Sequence, residues 1–111
     1  PELAPLFAAD AMAELSVTGE VGGIGVAGQI DRMHVDDSRV LIADFKTGPR
    51  PAATPDAYVR QMALYAALMQ QIYPDREVET WIVWSEAAAV EIIGPDVRSA
   101  ALEAITGDGP P

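Results

Sequence analysis

Asp44 and Lys46 stand two residues apart at the end of an extended stretch that begins at Arg39. In strand geometry Val40, Ile42, Asp44 and Lys46 point one way, and Leu41, Ala43 and Phe45 the other. Both faces are apolar, so the stretch reads as a central, covered strand with charge at its end. Charges in such a place are costly unless paired or metal-bound, so this strand end is either a structural ion pair or a site. A second acid, Asp31, lies on the preceding stretch, where Ala27, Gln29, Asp31, Met33 and Val35 are expected to share a face. Glu14, with Glu20 as the other candidate, lies on the stretch before that. Carboxylates on adjacent strands, with a lysine two residues after one of them, can build the oxygen-rich site that magnesium or manganese prefers. Such a site activates a water and clamps a scissile phosphate. Lys46 would orient the nucleophile or stabilise the charge that develops on phosphorus.

The elements that must position these residues follow from periodicity. Leu15 and Val17 alternate with Ser16 and Thr18, which predicts a strand over Glu14–Val21. Gly22-Gly23 turns the chain into a second strand, Ile24–Val35, and Asp36-Asp37-Ser38 turns it into a third, Arg39–Lys46. The three form an antiparallel meander. Thr47 to Ala53, with Gly48, Pro49 and Pro51, is a loop. Thr54-Pro55 then predicts an N-cap with proline at the first helical position, and Asp56 favours the first turn. The helix runs from Pro55 to Tyr73 and stops before Pro74. Tyr58, Met62, Tyr65, Met69 and Ile72 form its apolar stripe at spacings of three and four. Val78–Trp84 and Ala88–Ile93 are two further strands, and Gly94-Pro95-Asp96 opens a short last helix ending near Thr106. Residues 1–12 are alanine-rich and apolar, the remnant of a helix or an approach loop. Strands, a helix, strands and a helix give an α+β domain with helices packed on a central mixed sheet.

Three short segments then acquire meaning together. Gly28-Gln29-Ile30-Asp31-Arg32, Asp44-Phe45-Lys46-Thr47 and Gln61-Met62-Ala63-Leu64-Tyr65 resemble, in order, the G-x-[IV]-D-R, D-x-K-T and Q-x-x-x-Y motifs of RecB-like PD-(D/E)XK nucleases. The resemblance spans about Leu6 to Ile93 and points in particular to the C-terminal nuclease domain of AddA-type double-strand-break repair helicase–nucleases. It implies a restriction-endonuclease-like core in which Asp31 and Asp44 hold Mg2+ (or Mn2+). The Phe45 carbonyl would be a further ligand and Glu14 stands where a first-motif acid would fall. It implies that Lys46 is the catalytic lysine and that Gln61 and Tyr65, one turn apart, flank the site. The family also draws a histidine from a helix before the first strand. No histidine precedes Glu14, and His34 lies at the wrong strand end.

Each residue also has a plainer reading. Asp44 and Lys46 alone would be an ion pair, Asp31-Arg32 a solvated hairpin charge, and Gln61 with Tyr65 a core-facing helix pair. Tyr58, Met62 and Met69 read as core. Trp81 and Trp84 fall on opposite faces of one strand and read as core or cover. His34 reads as an exposed strand-end residue, and Arg39, Arg50, Arg60, Arg76 and Arg98 are too scattered to form a DNA track.

Composition sets the outer bounds. The chain has 111 residues, enough for one domain, and half are hydrophobic. No apolar run approaches the ~20 residues of a membrane span. Pro1 to Asp10 lacks the pattern of a signal peptide, and there is no cysteine for disulfides or thiolate metal sites, so a cytoplasmic setting is expected. The Pro-Glu start and the Gly-Asp-Gly-Pro-Pro end read as cuts in a longer helicase–nuclease chain. The net charge of −10 opposes a phosphate backbone. A larger assembly that grips DNA elsewhere, or divalent metal among the carboxylates, would answer that objection. The leading expectation is therefore a magnesium-dependent deoxyribonuclease module working on single strands or duplex ends, beside its own helicase portion and a second subunit. The alternatives are a nuclease-fold module that binds DNA or a partner subunit without cutting, and an unrelated acidic interaction domain.

Overall fold

The computed structural model describes residues 11–87 and 89–106. Its elements run β1 (Met12–Val21), β2 (Ile24–Val35), β3 (Arg39–Lys46), α1 (Asp56–Ile72), β4 (Glu77–Trp84), β5 (Ala89–Ile93) and α2 (Pro95–Thr106). The expected remnant before β1 lies, for residues 1–10, outside the described residues. Five strands form one sheet in the order β1-β2-β3-β4-β5. β1–β2, β2–β3 and β4–β5 pair antiparallel, while β3 and β4 pair parallel across the α1 crossover. This is the expected mixed sheet with helices, an α+β architecture.

The turns obey their sequence signals. Gly22 and Gly23 take positive φ of 56° and 83°, which a two-residue hairpin requires and glycine supplies without strain. Asp36 closes the next turn by accepting the amides of Ser38 (2.9 Å) and Arg39 (2.8 Å) on one carboxylate oxygen. Those backbone bonds hold its pKa below the usual carboxylate value.

α1 covers one sheet face with Met62, Tyr65, Ala66, Leu68 and Met69, against Val17, Val21, Val26, Ile30, Met33, Val40, Ile42, Val78, Ile82 and Trp84. α2 packs chiefly on α1. Leu41, Ala43 and Trp81 form a second buried cluster on the opposite face. β3 is thus buried on both sides, as its two apolar faces predict, and Trp81 and Trp84 separate to opposite faces.

Three expectations need correction. Thr54 is not the N-cap: Pro55 occupies that position with no side-chain cap bond, and the Thr54 hydroxyl donates to Glu91 instead. The α1 stripe does not end on Ile72, which is 61% exposed, because Tyr73 takes the place against the core. The third concerns β2. Val26 and Ile30 are buried while Ala27 and Gln29 are exposed, yet Met33 joins the same core as Ile30. A regular strand cannot put residues three apart on one face. β1 does the same with Met12 and Leu15. The two strands therefore change face side by side, at Asp31–Arg32 and at Ala13–Glu14, where Glu14 adopts φ 52°. Burying Ile30 and Met33 and partly covering Met12 and Leu15 offsets the local strain of a left-handed residue.

Candidate active site

The change of face occurs where the acids are. Register pairs Ala13 with Arg32 and Leu15 with Ile30, so Glu14 stands across from Asp31. It also pairs Arg32 with Ala43, so the next row brings Asp31 beside Asp44. Asp31 reaches over to β3 and accepts the Phe45 amide on Oδ2 at 2.9 Å, a charge-assisted bond that fixes its carboxylate at the site.

Asp44 is 6% exposed, on the α1 side of the sheet beyond Ile42. The Lys46 ammonium lies 2.7 Å from its Oδ2. At that distance the contact is a charge-assisted ion pair. The Asp44 carboxyl is pushed above its usual pKa, first by burial, with the neighbouring Asp31 carboxyl adding to the rise and Lys46 opposing it. Two adjacent carboxylates, one of them buried, suit a divalent cation. Asp31, Asp44 and the Phe45 carbonyl could hold such an ion together with the several waters that magnesium retains.

The third motif closes the site through its tyrosine. The Tyr65 hydroxyl accepts the Gln29 amide at 3.2 Å and the Gln61 side-chain amide at 3.3 Å. Gly28 makes this possible. A Cβ there would lie 2.2 Å from the Tyr65 oxygen, a distance no packed atoms reach. The glycine of the first motif, the tyrosine of the third and Gln61 are therefore one contact. Lys46, Tyr58, Arg60, Gln61 and Tyr65 line an open groove of about 510 Å3 beside the ion pair.

The structure thus gathers Asp31, Asp44, Phe45 and Lys46, with Gln61 and Tyr65 on the flanking helix. It does not gather Glu14. That residue is exposed, and among the described residues no three acidic or histidine side chains cluster as a metal site. Its carbonyl accepts the Gln29 side-chain amide at 3.3 Å. Glu20 sits at the far end of β1, beside the hairpin turn. His34, half-buried rather than exposed, lies opposite Leu41, away from the acids. Tyr58, read as core, does pack against the edge of the core, and its ring also lies under the Lys46 ammonium, 4.0 Å from centroid to Nζ. The spacing Tyr58-x-x-Gln61-x-x-x-Tyr65 puts all three on one side of α1 and was the available signal. Glu91 was also missed. It receives the Thr54 hydroxyl, the Trp84 indole N–H at 3.4 Å and the Arg50 guanidinium at 3.6 Å, and so straps the loop before α1 to β5.

Comparison with known proteins bears on the family and the fold. The model of the PD-(D/E)XK nuclease superfamily matches residues 4–103. The chain belongs to the PD-(D/E)XK nuclease superfamily. Among solved structures its fold is similar to a "Putative exonuclease" from Eubacterium rectale, with TM-score 0.70 at 13% identity, covering 96% of this chain and 44% of that one. It is also similar to SSO0001, with TM-score 0.51 at 16% identity, covering 92% of this chain and 52% of that one. At these identities the likeness is one of fold, and the chain spans about half the length of each. No curated protein matches its sequence. Among the described residues no helix is long and apolar enough to cross a membrane.

Proposed function

We propose that this PD-(D/E)XK domain is a magnesium-dependent deoxyribonuclease, an exonuclease module of a longer helicase–nuclease that works in recombinational double-strand-break repair. One observation carries the reading: the buried Asp44 carboxylate stands beside a second acid, Asp31, with the Lys46 ammonium 2.7 Å from its Oδ2. A purely structural ion pair needs one acid, whereas here a second carboxylate is brought against the buried one, which is costly without a cation between them.

In this reading Asp31, Asp44 and the Phe45 carbonyl hold Mg2+ or Mn2+. The ion supplies Lewis acidity toward the scissile phosphate and the attacking water. Lys46 donates a hydrogen bond where negative charge grows in the transition state. Asp31 keeps the Phe45 peptide oriented through its amide. Gln61, held by Tyr65, borders the groove from which the substrate strand approaches. With a net charge of −10, DNA affinity would come from the helicase portion and a second subunit.

The other reading is a module that binds DNA or a partner without cutting. The exposure of Glu14 favours it, because among the described residues only Asp31 and Asp44 would then offer carboxylates to a metal. Lys46→Ala separates the two. Loss of one transition-state donor is worth ~3–4 kcal/mol, about 10²–10³ in rate. Cleavage of labelled single-stranded DNA in Mg2+ should fall by that factor while DNA binding is unchanged. A variant that cuts as fast as the parent refutes the catalytic reading.

A further inference from the structure

We infer that Tyr58 is a positioning residue for Lys46, acting through the face of its ring; the inference rests on the hydrolytic reading above. Lysine carries its charge on a flexible four-carbon stem, and holding it in one place costs up to ~2 kcal/mol of rotamer entropy. Here the side chain is 21% exposed and the ion pair with Asp44 fixes one distance only. An ammonium held at one distance can still swing about the carboxylate oxygen. The Tyr58 ring, with its centroid 4.0 Å from Nζ, supplies a second boundary, and the ring's negative face attracts the charge. Nζ is therefore confined between an anion and an aromatic face.

The ring is itself held. Tyr58 lies in the first turn of α1, and its ring packs on Trp84 with centroids 6.0 Å apart and planes tilted by 43°. Trp84 is 3% exposed, and its indole N–H points to Glu91, the residue that also receives Thr54 from the loop before α1. A line of contacts thus runs from β5 through β4 and α1 to the lysine. The acting part is the ring face, which Lys46 Nζ approaches and which packs on Trp84.

The test uses the full chain, in two measurements. In the first, the side-chain methylene protons of Lys46 are assigned by NMR against a Lys46→Met control. Ring current should shift them upfield in wild type and in Tyr58→Phe, and the shift should vanish in Tyr58→Leu. In the second, cleavage of a fluorescent single-stranded oligonucleotide in Mg2+ is followed. Tyr58→Phe should stay within about twofold of wild type, while Tyr58→Leu should lose about tenfold in kcat with KM unchanged. Should Tyr58→Leu fail to fold, Tyr58→Met fills the volume without a ring face and takes its place. Absence of the upfield shift in wild type overturns the inference whether or not the protein cuts. A loss confined to KM overturns it too, making Tyr58 a substrate contact. A protein that shows the shift and cuts nothing overturns the hydrolytic reading, and with it the role but not the contact.

Discussion

Replacing Gly28 by alanine tests the joint between the first and third motifs. The added Cβ would meet the Tyr65 hydroxyl oxygen at 2.2 Å and two ring carbons at 3.0 Å, so the ring cannot stay. Tyr65 is 6% exposed and wedged among buried neighbours, so the move strains the core by about 1–3 kcal/mol. It also breaks the bonds from Gln29 and Gln61, and the half-buried Gln29 amide loses its acceptor at about 1 kcal/mol or more. Together these give about 2–4 kcal/mol. For a domain of 111 residues each kcal/mol lowers the melting temperature by about 4 °C, so the variant should melt about 8–16 °C below wild type. Calorimetry on Gly28→Ala, Tyr65→Phe and the double variant completes the argument. Tyr65→Phe alone should cost about 1 kcal/mol by stranding the Gln29 amide. In the Gly28→Ala background it should cost nothing or restore stability, because it removes the atom that clashes. A Gly28→Ala protein melting within 1 °C of wild type, or strictly additive losses, would refute this account of the motif.

Two further perturbations address the metal and the loop. Burial raises the Asp44 pKa in the folded state, so this group favours folding when protonated, and that contribution is lost as pH rises through the raised value. Asp44→Asn should therefore melt slightly higher than wild type at neutral pH without metal, with the gain disappearing as pH falls below the ordinary carboxylate range. Wild type should gain about 1.4 kcal/mol at Mg2+ tenfold above Kd, and Asp44→Asn should gain almost nothing; equal metal responses would rule out the site. Glu91→Ala should release Thr54, Arg50 and Trp84 at a cost of about 1–2 kcal/mol. Amide exchange over residues 50–58 should then accelerate, and unchanged protection would show that the strap does not hold the loop.

Much of this was readable from the chain. The meander of the first three strands and its turns followed from alternation and from Gly22-Gly23 and Asp36, because those signals are local, whereas the parallel placement of β4 beside β3 did not. Asp44 and Lys46 were readable as neighbours since residues two apart on a strand share a face. Meander order carried Asp31 to the same place. What escaped depends on partners distant in sequence. The shared change of face at Asp31 and Glu14 needs β1 and β2 to distort together, which no period in either strand reveals. Thr54 looks like a cap until Glu91, 37 residues away, claims its hydroxyl. Tyr58 fits a core stripe as well as a site, and only the fold shows that Lys46 ends on its ring. Gly28 is a motif letter in the sequence, and its reason lies in a tyrosine on another element.

The motifs, once folded, behave as one device. Gly28 admits Tyr65, Tyr65 receives the Gln29 amide on β2, and the same oxygen holds Gln61 at the mouth of the groove. Two residues along β2 from Gln29, Asp31 takes the amide of Phe45, which sits between Asp44 and Lys46. The first motif therefore touches both others through its own backbone or side chain, and α1 reaches the second again through Tyr58 on Lys46. A loop of contacts closed in this way transmits displacement, because a packed interior yields little. Residues so linked are poor candidates for additive effects. Losses at Gly28, Tyr65 and Gln61 should overlap, since each releases the same hydroxyl, while Lys46 and Asp44 should couple to them more weakly through α1. Non-additivity that follows this contact order, rather than distance along the chain, is what ties the fold to the chemistry proposed for it.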